Sequence, residues 1–219
     1  AFHASHDLQE PLRKIKTFGS YIQSHSKNLD EKCQNYFDRM INASERMQNF
    51  INDLLIFSKL THQTNPLQPT DLNEVIKSAL EDLEDRISKT HAEIQIGKLP
   101  VLEADAVQMK QLFQNLLSNS LKFYRAGVVP TIKVSAGKSS VDFMNIVLED
   151  NGIGIKPQYT KRIFEPFERL HGRSEYEGSG IGLTMCQKII SRHEWEIKAE
   201  GIPDQGTKIV ITFPKDSIR

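Results

Sequence analysis

The stretch that most constrains the fold is residues 145–155, with the sequence Asn-Ile-Val-Leu-Glu-Asp-Asn-Gly-Ile-Gly-Ile. Residues 146–148 form a short apolar run typical of a β-strand, and Asp150 stands where that strand is expected to end. A carboxylate there can accept a hydrogen bond from an amine, such as the exocyclic amine of adenine. Gly152 and Gly154 allow the backbone to approach a flat ligand without a Cβ in the way. Taken alone, however, Asp-Asn-Gly favours a tight turn.

A glycine-rich turn at residues 178–182, Gly-Ser-Gly-Ile-Gly, leads into a predicted amphipathic helix. Free N–H groups and the positive end of a helix dipole suit a phosphate group at such a place. The spacing excludes a dinucleotide fingerprint, because Leu183 stands where that motif needs glycine, and no P-loop sequence occurs in the chain. The candidate phosphate-binding residues are Gly178, Ser179, Gly180 and Gly182.

Polar residues form one stripe on the helix predicted upstream of these two motifs. Gln111, Asn115, Asn119 and Lys122 are spaced by four, four and three residues, and leucines and Phe113 take the opposite side. Amide oxygens are hard ligands that suit Mg²⁺ bound together with substrate phosphates. The alternative is an ordinary solvated helix face, although asparagine is a poor helix former in a helix interior.

Four motifs stand in the chain in a fixed order, at residues 115–123, 150–154, 164–167 and 178–182. Together they resemble the ordered ATP-site motifs of sensor histidine kinases, whose nucleotide-binding fold is shared with gyrase, Hsp90 and MutL. The resemblance implies that ATP and Mg²⁺ bind here. It places Asp150 at the adenine, Asn115 and Asn119 at the metal, and Lys122 at the phosphates.

Residues 1–62 are predicted to form two long helices, joined by a polar turn near residues 24–30 with Asp30 as a plausible N-cap. Each helix carries apolar residues at intervals of three and four. One such hairpin has too little core of its own, so we expect two copies to pair into a homodimeric four-helix bundle.

The chemistry of this hairpin lies in residues 5–12, Ser-His-Asp-Leu-Gln-Glu-Pro-Leu. Pro11 has no N–H, so the carbonyl of Asp7 loses its helical partner, and the helix is expected to bend beside His6. A neutral imidazole is a competent nucleophile near neutral pH. The sequence His-Asp-x-x-x-Pro resembles the phosphoacceptor box of histidine kinases. By that resemblance His6 accepts the γ-phosphoryl group and Asp7 hydrogen-bonds the imidazole as base.

Glu10 departs from the family pattern, which usually has threonine or asparagine four residues after the histidine. That residue helps to position water for phosphatase activity, so Glu10 puts phosphatase activity in doubt. Together with Gln9 and Pro11, Glu10 resembles the phytochrome-type subgroup of histidine kinases, as do residues 122–125, Lys-Phe-Tyr-Arg.

Residues 165–177 are polar and without strand periodicity, which is typical of a functional loop in a compact domain. The segment resembles the ATP lid of the family, with Phe164 and Phe167 either anchoring its base or serving as core aromatics. Arg169 is a candidate contact to the γ-phosphate, whereas a solvated side chain is favoured for Arg173. By the same resemblance, the hydroxyl of Thr207 supports Asp150 near the adenine.

The domain organisation is predicted from a polar, proline-bearing linker at residues 61–69. We expect a helical hairpin over residues 1–62 and an ATP-binding domain over residues 63–219, the latter an α+β two-layer sandwich. In that domain a helix is predicted over 70–90 and another after Asp105. Short strands are predicted at 93–96, 131–136, 142–148, 195–200 and 208–213.

Charge and composition exclude several other classes of protein. Lys and Arg together number 28, as do Asp and Glu, so no basic field favours nucleic acid. Hydrophobic residues make up 38%, and no apolar run is long enough to predict contact with a membrane. Cys33 and Cys186 fit no disulfide or metal pattern, which favours a cytoplasmic setting. Since the chain begins at Ala1, we expect a fragment of a longer protein.

The expected function is Mg-ATP-dependent autophosphorylation of His6, followed by phosphotransfer to an aspartate of a response regulator. Two alternatives stay open. One is an ATPase or serine kinase of the same fold group, which an acid-stable phosphate would favour. The other is a dimeric docking module without catalysis, which failure to bind ATP analogues would favour.

Overall fold

The computed structural model describes residues 2–26, 30–62, 65–170, 176 and 178–218, with side chains from residue 9 onward in the first helix and up to residue 59 in the second. The helices are α1 (Phe2–His25), α2 (Glu31–His62), α3 (Leu72–Glu81), α4 (Glu84–Thr90), α5 (Ala106–Lys122) and α6 (Gly182–Arg192). The strands are β1 (Gln68–Asp71), β2 (Glu93–Ile96), β3 (Val101–Ala104), β4 (Thr131–Lys138), β5 (Phe143–Asp150), β6 (Glu196–Ile202) and β7 (Gly206–Pro214).

The two predicted N-terminal helices are confirmed, and they form an antiparallel hairpin. Hydrogen bonds join Gln9 to Asn52 at 2.6 Å and Gln23 to Asp38 at 2.8 Å, near opposite ends of α1. Asp30 accepts a hydrogen bond from the amide of Cys33 at 2.6 Å, which is the expected N-cap of α2. Helix α1 continues through Pro11 as one element. In the ranges with described structure, no helix is both long and apolar enough to cross a membrane.

The rest of the chain folds into a five-stranded mixed sheet with helices packed on it, which confirms the α+β two-layer prediction. The strand order is β2-β4-β5-β7-β6, and a separate two-stranded sheet pairs β1 with β3. Strand β2 runs parallel to β4, whereas the other pairs are antiparallel.

Helix α5 lies between α3 and α6, and its apolar side forms the centre of the core. Phe113 on this helix and Phe213 on β7 are completely buried. Asp105 caps α5 as predicted, because its carboxylate accepts hydrogen bonds from the amides of Val107 at 3.1 Å and Gln108 at 3.2 Å. This cap fixes where α5 begins and so sets the register of its polar stripe.

The helix predicted over residues 70–90 is observed as two helices, α3 and α4, and it begins at Leu72, after its N-cap Asp71. Residues up to Asp71 belong to β1, where Thr70 pairs with Leu102, and Asp82 and Leu83 form a turn between α3 and α4. Pro69 argued against a strand here, because proline has no N–H to donate to a sheet and is found mainly in edge strands. β3 was missed with β1, since each is only four residues long and forms through the other.

Candidate nucleotide-binding site

A cavity of about 860 Å³ lies where α5, the end of β5, the glycine turn and the second helix of the hairpin meet. It gathers predicted site residues from three of the four motifs, together with Arg169 and Thr207, whereas residues 164–167 are not in its described lining. Those that line it are Asn115, Asn119, Lys122, Asp150, Gly154, Arg169, Gly178, Ser179, Gly180, Gly182 and Thr207. Gln111, the first residue of the predicted stripe, is not among the described residues of this lining. The site expected from the sequence is thus largely assembled as one cavity.

Asp150, the last residue of β5, is held by three hydrogen bonds. Its Oδ1 accepts from the amides of Gly152 at 2.9 Å and Thr207 at 3.1 Å, and its Oδ2 accepts from the Ser120 hydroxyl at 2.9 Å. Burial raises the pKa of Asp150, and these three bonds oppose that shift because they favour the charged form. Two carboxylate oxygens offer about four acceptor positions, so capacity remains for a ligand amine.

Two details of this arrangement differ from the prediction. Thr207 contacts Asp150 through its backbone amide, whereas the sequence analysis assigned the contact to its hydroxyl. Ser120 was missed, because it falls on the buried side of α5 and lies 30 residues from Asp150 along the chain. A serine among the leucines of that side was the signal that pointed to a buried polar partner.

Gly152 and Gly154 are required by the packing of the backbone itself. A Cβ on Gly152 would lie 2.3 Å from the carbonyl oxygen of Phe123, and one on Gly154, whose φ is 70°, would lie 2.0 Å from that of Ile202. The sequence analysis attributed both glycines to the approach of a ligand. The closest obstacle to a side chain is instead neighbouring main chain, so these glycines build the turn that presents Asp150.

Arg125 ties together the two turns beside Asp150, a role that sequence reasoning missed. Its Nε donates to the carbonyl of Asn151 at 2.9 Å and its Nη1 to that of Asp204 at 2.7 Å. Asn151 in turn accepts from the Thr131 amide at 2.9 Å and donates to the Val129 carbonyl at 2.9 Å. The acidic end of β5 is therefore fixed from several sides before any ligand binds.

Lys122 connects α5 with the glycine turn. Its Nζ lies 4.2 Å from the centre of the Phe123 ring, and a Cβ placed on Gly178 would come within 2.9 Å of it. Asn115 faces the start of α6, since its Oδ1 lies 3.5 Å from a Cβ placed on Gly182. The polar stripe and the glycine turn therefore form facing walls of one cavity, in which Asn115 and Lys122 are half-buried.

The side chains in this space fit Mg²⁺ held jointly with phosphates. The Nδ2 atom of Asn115 is buried without a well-formed hydrogen bond in the described part of the chain and lies beside the Cys186 thiol, a weak acceptor. Asn119 lines the same wall. No group of three or more His, Cys, Asp and Glu side chains among the described residues forms a metal cage. Amide oxygens plus substrate phosphates match the way Mg²⁺ is usually bound.

The described part of the lid is held by Arg169. This side chain donates to the carbonyl of Gly178 at 2.7 Å and to that of Tyr176 at 2.6 Å. Phe164 is buried as expected, but Phe167 is 55% exposed, so the core interpretation of Phe167 was wrong. The γ-phosphate contact proposed for Arg169 stays a prediction, and Arg173 lies outside the described residues.

The candidate phosphoacceptor lies on the backbone of α1. His6 and Asp7 both fall within that helix, as predicted, and their side chains lie outside the described residues. The hairpin reaches the cavity through its other helix, since Asn49, Asn52 and Asp53 of α2 line the cavity wall. Sequence analysis assigned no site role to α2.

Two protein-family models match this chain. Residues 3–63 match the His Kinase A (phospho-acceptor) domain, and residues 104–217 match the histidine kinase-, DNA gyrase B-, and HSP90-like ATPase family. These are the two domains, in the same order, that the sequence motifs indicated.

Similar proteins include a phytochrome-like protein and a cyanobacterial phytochrome. The phytochrome-like protein Cph1 of a Synechocystis species is 40% identical over 98% of this chain, and cyanobacterial phytochrome A of a Nostoc species is 37% identical over 98%. The chain spans 28% of the length of each of these relatives. Among solved structures, full-length ShkA in complex with AMPPNP has a TM-score of 0.68 at 22% identity, covering 96% of this chain and 44% of ShkA. The histidine kinase ThkA, solved with the response regulator TrrA, has a TM-score of 0.63 at 20% identity, covering 97% of this chain and 61% of ThkA.

Proposed function

This chain belongs to the histidine kinase family, and on that premise we propose that it transfers the γ-phosphoryl group of ATP to His6. The observation that carries the proposal is the meeting of three separate motifs in one cavity around the half-buried carboxylate of Asp150.

Asp150 recognises the adenine base in this proposal. The amides of Gly152 and Thr207 and the hydroxyl of Ser120 orient the carboxylate, so that its remaining lone pairs accept from the exocyclic amine. Guanine carries a carbonyl where adenine carries this amine, so a fixed acceptor at this point discriminates against GTP. The apolar residues Ile153, Ile155 and Ile209 line the same cavity and suit a flat ring.

The opposite end of the cavity holds the phosphates. Lys122 supplies a cation at the glycine turn of residues 178–182, whose main-chain amides at the start of α6 suit an anion. Asn115 and Asn119 hold Mg²⁺ against the phosphate oxygens. When bound, the metal neutralises the charge that develops on the phosphoryl group during transfer. Arg169 reaches the γ-phosphate after releasing the lid carbonyls that it holds in this structure.

His6 is the nucleophile, and Asp7 takes the imidazole proton into a hydrogen bond. The reaction forms a bond between an imidazole nitrogen and the γ-phosphorus and breaks the bond to the bridging oxygen of ADP. The ATP-binding domain, which we place at residues 63–219, moves on its short linker to bring ATP to the hairpin of residues 1–62. The hairpin acts as a homodimer, because its apolar side chains are exposed in a single chain.

The phosphohistidine then passes its group to an aspartate of a response regulator. The relative ThkA has been solved in complex with such a protein, and the partner class is carried over to this chain on that likeness and on membership of the family. We place this activity in the cytoplasm, where ATP and the regulator are available.

The test is labelling with γ-labelled ATP and Mg²⁺, followed by acid and base treatment. We expect an acid-labile, base-stable label that is absent from His6→Ala, while this variant retains wild-type affinity for ATP. His25→Ala is a matched control on the same helix, and it should retain the label. Acid-stable label in the His6→Ala variant would instead assign the chain to the serine kinases.

A further inference from the structure

Helix α2 of the hairpin packs directly on the lid and on α6. The Phe50 ring lies 5.9 Å from the Phe167 ring, and the Lys188 ammonium lies 4.6 Å from the Phe57 ring. Between these two contacts, the hydroxyl of Ser179 donates a hydrogen bond to the carboxylate of Asp53. Residues 50, 53 and 57 are spaced by three and four, so one face of α2 makes all three contacts.

Asp53 therefore stands inside the cavity, at the turn that serves the phosphates. It is the one acidic residue that the hairpin contributes to the described cavity lining. Burial raises the pKa of Asp53, and its hydrogen bond from Ser179 only partly opposes that shift. The Asp53 carboxylate thus accepts the hydrogen bond that the Ser179 hydroxyl donates, and it adds negative charge beside the glycine turn.

The cavity also holds other charges, among them the Lys122 cation beside Gly178 at the same turn. Its described lining has the cations Arg86, Lys89, Lys122 and Arg169 and the carboxylates Asp53, Asp150 and Glu168. Arg169 already donates to two lid carbonyls, and Glu168 forms an ion pair with Arg162. Asp150 is bound by its own three donors at the closed end of the cavity. Asp53 is therefore the carboxylate that incoming phosphates meet at the turn.

We infer that the Asp53 carboxylate and the phosphates of a nucleoside triphosphate compete for the glycine turn, so that docking of α2 on the lid and binding of ATP oppose each other. The inference rests on the proposed ATP site. Asp53 then lowers the affinity of the cavity for a nucleotide in proportion to the charge of its phosphates. The hairpin can therefore expel nucleotide when it docks and admit it when it releases. By linkage, a bound triphosphate weakens the docking of α2 by the same factor.

The test compares ATP with adenosine, which has the base but no phosphates, as ligands of the whole chain. Asp53→Asn keeps an acceptor for Ser179 and removes the charge. We expect this variant to bind ATP about tenfold more tightly and adenosine with an affinity unchanged within about twofold. Asp53→Ala removes the acceptor as well, and its gain for ATP should be at least as large. Titration calorimetry measures the affinities of the wild type and both variants for each ligand.

Asp38→Asn is the matched control, because it removes the same charge from α2 about 22 Å away along the helix, beyond the screening distance. Its affinities should equal those of the wild type. An equal gain for adenosine and ATP in Asp53→Asn would indicate a general effect on packing and overturn the inference. If Asp53→Asn bound ATP more weakly than the wild type, and only when Mg²⁺ is present, Asp53 would be a metal ligand and the inference would be overturned.

A second measurement follows the docked helix itself. Hydrogen exchange of residues 50–57 should become faster with an ATP analogue than with adenosine, and this difference should vanish in Asp53→Asn. An unchanged exchange rate with both ligands would contradict the competition. If the wild type binds neither adenosine nor ATP, the proposed ATP site itself fails; if it binds both and Asp53→Asn changes neither affinity, only the present inference fails.

Discussion

In the ATP-binding domain the aromatic side chains of Phe113 and Phe213 are completely buried, whereas Phe18 and Tyr21 of the hairpin are 62% and 61% exposed. The domain encloses its core between a sheet and its helices, so one chain is enough to fold it. Two helices cannot surround a core, and within the hairpin the residues from Leu12 to Ile51 bury few side chains. The two regions thus differ in how they place aromatic side chains: the domain buries them within one chain, and the hairpin leaves them exposed.

The polar groups differ in the same way. Asp150 in the domain is held by three donors from separate elements, and Arg125 braces the turns around it. The hairpin has fewer buried polar contacts of this kind, such as the hydrogen bond at 2.7 Å from the hydroxyl of Ser44 to the carbonyl of Leu12. A site that is built before its ligand arrives loses little entropy on binding.

The largest expected effect is a loss of ATP affinity in the ATP-binding domain, with no effect on the hairpin. Asp150→Ala should weaken ATP binding by at least about 100-fold, because the adenine amine then meets an apolar wall and three donors lose their acceptor. The hairpin should keep its helical content, since none of its described contacts involves Asp150. Titration calorimetry and circular dichroism measure the two quantities. Retained tight binding would mean that the adenine contact lies elsewhere.

Sequence reasoning succeeded where a signal lies within a short stretch. The hairpin helices, α5, α6 and strands β4 to β7 were predicted because their apolar periodicity is local. The carboxylate, the amide stripe and the glycine turn were predicted because each motif carries its own chemistry in a few residues.

The features that were missed depend on residues that are distant in the sequence. Ser120 contacts Asp150 across 30 positions, and Ser179 contacts Asp53 across 126. β1 and β3 become strands by pairing with each other, and Pro69 argues against a strand until that partner is known. Periodicity describes how one segment faces the core, so it predicts elements better than it predicts which elements meet.

The second prediction addresses the hairpin's need for a partner. Met40, Met47 and Leu54 are exposed and recur every seven residues along α2, as in a helix seam that packs on another helix. Met47→Asp should weaken dimerisation by about tenfold or more, because pairing would bury the new charge. Analytical ultracentrifugation measures the dimer constant, and ATP affinity should stay within about twofold of the wild type.

Val141→Asp is the matched control for Met47→Asp. Val141 is 86% exposed and lies in the turn between β4 and β5, so the same new charge there should leave the dimer constant unchanged. If Met47→Asp sediments like the wild type, the exposed stripe of α2 is not the dimer surface.

The third and smallest expected effect concerns the carboxylates of Asp150 and Asp30, whose pKa values are shifted in opposite directions. Burial, the largest cause, raises the pKa of Asp150, so its acceptor function is lost as pH falls through a value above that of an ordinary carboxyl group. Asp30, the N-cap of α2, has its pKa lowered, first by its hydrogen bond from the Cys33 amide. Its stabilising contribution is present above the unfolded pKa and is lost only as pH falls through the lower, folded value.

Acidification should therefore affect the ATP-binding domain first and the hairpin afterwards. Adenosine affinity, which avoids the titration of phosphates, should fall first, at a pH where the helical signal of the hairpin is still complete. Calorimetry and circular dichroism on the same samples record both curves, with Asp150→Asn and Asp30→Asn as controls that remove each titration. If helix content fell at a higher pH than adenosine affinity, Asp30 would be the more easily protonated group. The contrast between a pre-built site and a loosely held hairpin would then not extend to their carboxylates.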